Sequence, residues 1–437
     1  MKISLFGQFG SGNTGNDGSL ESMILFLRKL RPDAELQCIC SNPKVVQARY
    51  GIPAKSVGGP APSSLFARTL NKVLFNLPRR VILLFSALGQ FNDIDLMIVP
   101  GTGILDDFQD RVLGWPLVLF CWCLAARLRN TRIAFVSIGA GPVHGRLSRL
   151  LLVSAARMAT YRSYRDEASL RFMTSVGIDV ANDHRYPDIA FGLPSPPIVP
   201  RQAAWREASE SAACSDAPLT FGVGIMQYRG WRHHDPKADD IYADYIAKMS
   251  DFVGRLAADG HRVCLFMGDV TDERARDDIR NGLAGTLSAE QRSRIEAHSG
   301  KTLQDVMALV AGVDITVVSR YHNLVCSLKL GRPSISLGYA QKNDDLMQRF
   351  GQQAYSRHIE RFDTEELLVL VRRLIADRQG ATEAIAQTNA GVRAQLADQE
   401  NLLYRTLLSM PAPLAAPDLP ERPTGSAPPG GETSLLH

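Results

Sequence analysis

The feature that most constrains this chain is an alternation of short apolar runs with amphipathic helical patterns, which occurs twice along the sequence. In the first half the apolar runs are residues 3–6, 36–40, 96–100 and 133–138. Runs that are apolar throughout and separated by helical patterns are typical of parallel strands covered by helices on both faces. The first half is therefore predicted to form a doubly wound, Rossmann-like α/β domain.

The second half repeats this pattern after a break. Residues 196–217 combine prolines with a polar stretch and predict a linker. Further apolar runs at residues 219–225, 263–267, 315–318 and 334–337 predict a second Rossmann-like domain, facing the first across a cleft. We expect the two domains at residues 1–195 and 218–362, C-terminal helices that pack across them at 363–410, and a disordered Pro-rich tail at 411–437.

Composition excludes several classes of protein. A net charge of +4 over 437 residues is too nearly balanced to predict nucleic-acid binding. The seven cysteines include no Cys-x-x-Cys spacing, so neither a disulfide scaffold nor a zinc site is predicted. The longest apolar run, residues 112–126, contains Pro116 and is shorter than the ~20 residues of a membrane span. We therefore expect a cytoplasmic protein without a metal site, and the adjacent His233 and His234 do not alter that expectation because their side chains would point in different directions.

One segment leaves the membrane question open. Residues 65–85 mix four basic residues with many large apolar ones. A basic amphipathic stretch can lie on anionic lipid, which would give the protein peripheral contact with the inner membrane surface. The interpretation that we favour is a helix and linker of the first domain with solvated basic side chains.

A glycine-rich loop follows the first predicted strand and opens a helix. Its sequence from Gly10 to Gly15 matches G-x-G-x-x-G, but the second strand ends without the acidic residue that would hold the ribose of NAD. The loop residues Gly12, Asn13 and Gly15, with Asp17 in the helix, can instead present a helix N-terminus to a polar ligand. Capping of the helix by Asn13 and Asp17 explains the same residues equally well.

Three clusters of cationic or protonatable residues lie at predicted strand ends, where open α/β sheets bind ligands. Arg165 follows the run 159–163, Arg320 and His322 follow the strand at 315–318, and Lys342 follows the strand at 334–337. Each alone is compatible with a surface ion pair or a helix-end charge. Together they favour a small anion that carries both phosphate and carboxylate, because arginine binds such groups with a bidentate fork and lysine supplies a point charge.

At these residues the chain resembles the polysaccharide pyruvyl transferases, bacterial enzymes that attach pyruvate to sugars of exopolysaccharides and cell-wall polymers. The matching motifs run in order along nearly the whole chain before the tail. They are Gly12-Asn13-Thr14-Gly15, residues 95–103, Gly139-Ala140-Gly141-Pro142, Arg165-Asp166-Glu167 with Ser169, Pro187-Asp188, Ser319-Arg320-Tyr321-His322, Gly331-Arg332-Pro333, and Tyr339 with Lys342. The chain departs from the family's motifs at two places in the first domain. Asn16-Asp17 replaces Asp-Glu, and Gly101-Thr102-Gly103 replaces a triple glycine. These changes put the identity of the acceptor sugar in question more than the chemistry of the donor.

The resemblance implies a GT-B-like fold and phosphoenolpyruvate as donor, with no further cofactor. Protonation of the donor's methylene carbon makes its C2 electrophilic, a sugar hydroxyl attacks there, phosphate leaves, and a second hydroxyl closes a ketal. We expect Arg165, Arg320 and Lys342 to bind the donor and His322 to be the catalytic acid or a phosphate ligand. The acceptor, a sugar or lipid-linked oligosaccharide, is expected at the loop residues Gly12, Asn13, Gly15, Asp17 and Gly103.

Two other functions fit the same architecture. A GT-B glycosyltransferase would use a nucleotide sugar and bind UDP or GDP. A non-catalytic glycan-binding protein would keep the fold without needing His322 or Arg320.

Overall fold

The structure, a computed structural model, describes residues 1–59, 77–108, 112–197, 218–232 and 235–409. Several predicted features lie wholly or mostly outside these residues. They are the Pro-rich tail, the linker from residue 198 onward, residues 65–76 of the basic segment, and the pair His233-His234.

The first domain is a parallel sheet covered on both faces by helices. Over the described residues its strand order is β3-β2-β1-β4-β5-β6-β7. The strands are β1 Lys2–Gly7, β2 Glu35–Cys40, β3 Ala54–Ser56, β4 Leu96–Pro100, β5 Arg132–Ile138, β6 Tyr161–Tyr164 and β7 His184–Arg185. The helices are α1 Thr14–Leu30, α2 Pro43–Tyr50, α3 Leu77–Gln90, α4 Trp115–Leu128, α5 Arg146–Arg157 and α6 Glu167–Ser175. Two apolar clusters, one on each face of the sheet, explain why the central strands are apolar throughout.

The second domain repeats this arrangement. Its parallel sheet has the order β10-β9-β8-β11-β12-β13 within the described part of the chain. The strands are β8 Thr220–Ile225, β9 Arg262–Met267, β10 Ile295–Ala297, β11 Ile315–Val318, β12 Ser334–Gly338 and β13 Ser356–His358. The helices are α7 Ala238–Ala258, α8 Glu273–Ala284, α9 Ala289–Ser293, α10 Leu303–Ala311, α11 Tyr321–Lys329 and α12 Gln341–Arg349. The two Rossmann-like domains predicted from the sequence are thus confirmed.

The C-terminal helices connect the two domains. Helix α13 (Thr364–Ala376) packs on the second domain, and the long helix α14 (Arg378–Leu403) leads back to the first. There Gln399 is buried and donates hydrogen bonds from Nε2 to the hydroxyls of Ser137 (2.7 Å) and Ser163 (3.2 Å) in β5 and β6. Leu403 and the residues after it join the core of the first domain. Helix α14 and residues 404–408 after it therefore connect the two domains.

The strand orders determine where a ligand can bind. In each sheet the order reverses at one point, between β1 and β4 in the first and between β8 and β11 in the second. Crevices in open α/β sheets form at the carboxyl ends of the strands that flank such a point. The loops after β1 and β4 meet the loops after β9 and β11 across the cleft. Among the described helices, none combines the length and apolar composition of a membrane span.

Candidate active site

A cavity of about 150 Å³ lies between the two domains, at the facing carboxyl ends of their sheets. Most of the residues singled out from the sequence line it. They are Asn13, Gly15, Gly103, Arg165, Arg320, His322 and Lys342. Gly12 and Asp17 do not line this cavity, because both contact other protein groups.

Arg165 directly follows β6 and is almost fully buried. Its Nη1 donates to Asp188 Oδ2 at 3.0 Å, and its guanidinium carbon lies 4.1 Å from the ring centroid of Tyr321 in the second domain. Burial alone would lower the pKa of Arg165, but Tyr321, Asp188 and Asp166 raise it above its ordinary value. This guanidinium is therefore a permanent positive charge that touches both domains.

Asp188 links that charge to His322. The imidazole Nε2 lies 3.6 Å from Asp188 Oδ2, which is an ion-pair distance and too long for a hydrogen bond. Burial raises the pKa of Asp188, yet the attraction of His322 and Arg165 outweighs burial and holds the pKa below its ordinary value. Asp188 is thus an ionised carboxylate, fully buried between a group from each domain.

Arg320 is bound differently. Its Nε and Nη2 donate to the two carboxylate oxygens of Asp272 at 2.6 and 2.7 Å, so its fork is occupied within the second domain. Asp272 is fully buried, and it also accepts the backbone N–H of Gln227 at 2.8 Å. Only Nη1 of Arg320 lies outside this pair, 3.8 Å from Asp269. The role of Arg320 in donor binding stays a prediction.

Gly103 leaves a gap on which three side chains converge. A Cβ atom built on Gly103 would lie 3.3 Å from Asp106 Oδ2, 3.5 Å from Arg165 Nη2 and 4.0 Å from Lys342 Nζ. Lys342 Nζ also lies 4.9 Å from the ring centroid of Tyr339. Two cationic groups and one carboxyl group therefore face the same small space, which no side chain of the described residues fills.

Asp106 has an unusual electrostatic environment for a carboxyl group between two cations. Burial raises its pKa, while Lys342, the backbone N–H of Phe108 and Arg165 lower it and Asp107 raises it further. Burial dominates, so the pKa of Asp106 lies above its ordinary value. Arg165 thus lies near one carboxyl group whose pKa is raised, Asp106, and pairs with one whose pKa is lowered, Asp188.

The glycine loop attaches the first domain to the second. Asn13 caps α1, because its Oδ1 accepts the N–H of Asn16 at 3.1 Å, and its Nδ2 donates to Asp269 Oδ2 at 3.0 Å. A Cβ on Gly15 would lie only 2.0 Å from His322 Nδ1, so the missing side chain lets the imidazole rest on the start of α1. Gly12, at φ +98°, packs against Val270 in the same way.

Asp17 stabilises the glycine loop and contacts other protein groups. Its carboxylate accepts the N–H of Gly10 at 2.7 Å and a hydrogen bond from Arg49 Nη1 at 2.8 Å. It is buried under the glycine loop, which it holds in place.

Aromatic side chains from both domains meet beside the cavity. The Phe108 ring lies 4.9 Å from that of Trp231 and 5.2 Å from that of Tyr339, measured between centroids. All three rings are partly exposed. Such a group offers flat apolar surface next to the cationic gap.

Sequence reasoning gave no role to three carboxyl groups that shape this site. Asp106 follows the glycine turn after β4, Asp188 follows β7, and Asp272 follows β9. Each lies beyond the carboxyl end of a strand, which is the signal that could have identified them. Their partners are distant in sequence, so the pairing itself was not predictable from spacing.

Comparison with known proteins identifies the family. The family model for polysaccharide pyruvyl transferase matches residues 13–341, which is most of the chain. The search of curated proteins gave no match. The resemblance inferred from the motifs is confirmed.

Solved structures with a similar fold include one complex with UDP-glucose and one with UDP. The chain is similar to Anabaena Alr3699/HepE in complex with UDP-glucose, with a TM-score of 0.59, 13% identity, and coverage of 94% of this chain and 100% of that one. It is also similar to the S. aureus MnaA–UDP co-structure, with a TM-score of 0.60, 10% identity, and coverage of 94% and 98%. At such identities the likeness concerns the fold alone, and the fold is GT-B-like.

Proposed function

This chain belongs to the polysaccharide pyruvyl transferase family, and we propose that it transfers pyruvate from phosphoenolpyruvate to a sugar of an exopolysaccharide or cell-surface glycan precursor. The observation that carries this proposal is the convergence of Arg165, His322 and Lys342 on one small cavity. Phosphoenolpyruvate bears a phosphate and a carboxylate on a three-carbon unit, so its recognition calls for several cationic groups close together.

The size of the cavity supports a small donor. Its volume of about 150 Å³ is below the ~300–1,000 Å³ of pockets that enclose drug-sized ligands. A nucleotide sugar is larger than this cavity, which is the one that Arg165, His322 and Lys342 line together. The UDP complexes of the solved structures are the observation that favours the alternative, a nucleotide-sugar transferase.

The chain's own groups suit the donor chemistry. Arg165 Nη2 and Lys342 Nζ, which face the gap over Gly103, would hold the phosphate and carboxylate. As phosphate leaves, these fixed cations stabilise the charge that develops on it, in a site from which water is largely excluded. His322, beside the ionised Asp188, adds a third protonatable group. The reaction also needs a proton donor for the methylene carbon, and His322 and Asp106 are the candidates that the cavity offers.

We place the acceptor at the aromatic group formed by Phe108, Trp231 and Tyr339. Apolar faces of sugar rings pack on aromatic side chains, and these three rings lie next to the gap where the donor is placed. A free glycan and a lipid-linked one would present the same terminal sugar to this surface. Because the donor is a metabolite of the cytoplasm, we propose that the reaction takes place there.

The direct test is turnover. Purified protein is incubated with phosphoenolpyruvate and a set of candidate glycans, while phosphate release is followed and products are examined by mass spectrometry for the added pyruvate ketal. Phosphoenolpyruvate at 100 times its Kd should also add about 2.7 kcal/mol to the free energy of unfolding. NAD, ATP and UDP serve as controls and should add little.

The alternative has a distinct signature. Stabilisation by UDP or a UDP-sugar, with no stabilisation by phosphoenolpyruvate and no phosphate release from it, would replace the proposal by a nucleotide-sugar transferase. Variant Arg171→Ala is a suitable background control, because this arginine is exposed and lies outside the cavity.

A further inference from the structure

The proposed reaction sets a strict proton balance, and the inference that follows rests on that proposed function. The alkene electrons of phosphoenolpyruvate form a new C–H bond with a donated proton, which leaves positive charge at C2. The first acceptor hydroxyl forms a bond to C2 and loses its proton. Phosphate leaves with the electrons of its C–O bond, and the second hydroxyl closes the ketal and gives its proton to phosphate. One group that donates the first proton and then accepts the hydroxyl proton returns to its starting state.

His322 is held away from such a role. Its Nε2 faces the ionised carboxylate of Asp188 at 3.6 Å, and its Nδ1 lies against Gly15 at the start of α1. Both ring nitrogens therefore face protein groups. Arg165 and Arg320 do not lose a proton in proteins, and the phenol of Tyr321 is buried beneath Arg165, with its pKa raised well above the ordinary value.

Asp106 is positioned to donate the first proton and then to accept the proton of the hydroxyl. Its Oδ1 accepts the backbone N–H of Phe108 at 3.2 Å, which fixes the carboxyl group. Its Oδ2 faces the gap over Gly103, and Arg165 Nη2 and Lys342 Nζ face the same gap. A donor held by the two cations would lie directly beside this oxygen. Asp106 thus has one oxygen held by the backbone and a second that faces the gap, where the described residues donate no hydrogen bond to it.

The surroundings of Asp106 raise its pKa. Burial raises its pKa against the opposing effects of Lys342 and Arg165, and the neighbouring Asp107 adds to the increase. A bound phosphoenolpyruvate would occupy both cations with its own negative charge and so weaken their attraction for the Asp106 carboxylate. The bound donor would therefore raise the pKa of Asp106 further.

We propose that Asp106 is the proton-transferring catalytic residue, which protonates the methylene carbon of phosphoenolpyruvate and then accepts the proton of the first attacking hydroxyl. The O–H bond of the Asp106 carboxyl group breaks as the C–H bond forms, and it forms again when the hydroxyl attacks C2. His322 stays beside the ionised Asp188 and takes no part in this proton transfer.

Variant Asp106→Asn tests this assignment, because an amide keeps the shape and the acceptor for Phe108 N–H but cannot transfer the proton. We expect kcat to fall by roughly 10²–10⁴-fold, while the Kd of phosphoenolpyruvate from calorimetry changes less than about threefold. Wild-type kcat should fall as pH rises through the ionisation of the carboxyl group, because the protonated form is required. That decline should be absent from the residual activity of the variant and present in Asp107→Asn, the matched control.

Several outcomes would overturn the assignment. A folded Asp106→Asn protein with near wild-type kcat, or with reduced kcat and an unchanged pH profile, shows that Asp106 does not transfer the proton. If the amide variant does not fold, Asp106→Glu decides the matter, since it keeps the ionisation and should retain the alkaline decline in kcat. A wild-type protein that neither binds phosphoenolpyruvate nor releases phosphate from it overturns the proposed function itself, and the role of Asp106 with it.

Discussion

Arg165 and Arg320 both follow the carboxyl end of a strand and both pair with a buried aspartate, but the two pairs leave different atoms for a ligand. Asp188 contacts Arg165 through Nη1 at 3.0 Å, and Nη2 faces the gap over Gly103. Asp272 occupies both Nε and Nη2 of Arg320. The comparison shows that a strand-end position determines where a cation lies, whereas its partner decides what it can still bind.

Among the residues that pair with a buried aspartate, Arg165 should have the largest effect on turnover. We expect Arg165→Ala to lower kcat/KM for phosphoenolpyruvate by roughly 10²–10³-fold, because a preorganised cation beside the departing phosphate is lost. Asp188 would remain buried without that partner, which should cost about 3–5 kcal/mol of stability. Steady-state kinetics and urea unfolding measure the two effects. Arg171→Ala is the control, and equal losses in both variants would contradict the assignment.

The second-largest effect is expected for Gly15→Ala, which tests how helix α1 of the first domain positions His322. Variant Gly15→Ala places a Cβ where His322 Nδ1 lies, so the imidazole must move. A displacement of about 1 Å in a catalytic site can cost roughly 10²-fold in rate, and overpacking costs about 1–3 kcal/mol. Kinetics and thermal melting should show both losses. Gly391→Ala, at a helix position with open space around it, is the matched control. Full activity of Gly15→Ala would show that the position of His322 does not matter.

Arg320 should affect turnover least if its pair with Asp272 is mainly structural. Replacing Arg320 alone by Met should cost about 3–5 kcal/mol, because Asp272 is left as an unpaired buried charge. Adding Asp272→Leu should recover much of that stability, since a buried ion pair can be replaced by apolar groups at little net cost. The double variant should retain phosphoenolpyruvate binding within about tenfold. A total loss of binding with stability restored would make Arg320 a donor ligand, as the sequence suggested.

The smallest expected effect is on how stability depends on pH, where Asp106 and Asp188 should act in opposite directions. The folded-state pKa of Asp188 is lowered, so its stabilising contribution is present above the unfolded pKa of about 3.9 and is lost as pH falls through the folded value. The folded-state pKa of Asp106 is raised, so its ionisation costs stability as pH rises through that value. At neutral pH we therefore expect Asp106→Asn to melt above wild type and Asp188→Asn to melt below it. Melting shifts of the opposite signs would contradict these directions.

The fold could be predicted where burial leaves a clear pattern. Strands β1, β4, β8 and β11 are central and buried, so their sequences are mostly apolar. The short edge strands β7 and β13 were not identified, because His184–Arg185 and Ser356–His358 carry polar residues and are strands only through pairing with a neighbour. Local pattern therefore predicted the elements that form the core and missed those that tertiary contacts create.

The sequence predicted the cationic residues of the site but not its carboxyl groups. Arg165, His322 and Lys342 stand at strand ends, and the structure brings them to one cavity. Which aspartate faces which cation depends on the docking of two domains, as in the contact between Asp188 and His322. No local sequence signal encodes such a contact.

The attachment of the glycine loop to the second domain has a consequence for how the molecule unfolds. Two hydrogen bonds cross the cleft, from Asn13 to Asp269 and from Thr14 to Gly268. Helix α14, which leads from the second domain, contacts the first domain again where Gln399 bonds to Ser137. Separating the two domains therefore breaks polar contacts both at the cleft and at helix α14. Calorimetry should accordingly record one cooperative heat-absorption peak for both domains, with a calorimetric enthalpy close to the van't Hoff value. The anion that bridges the halves would then shift that single peak as a whole.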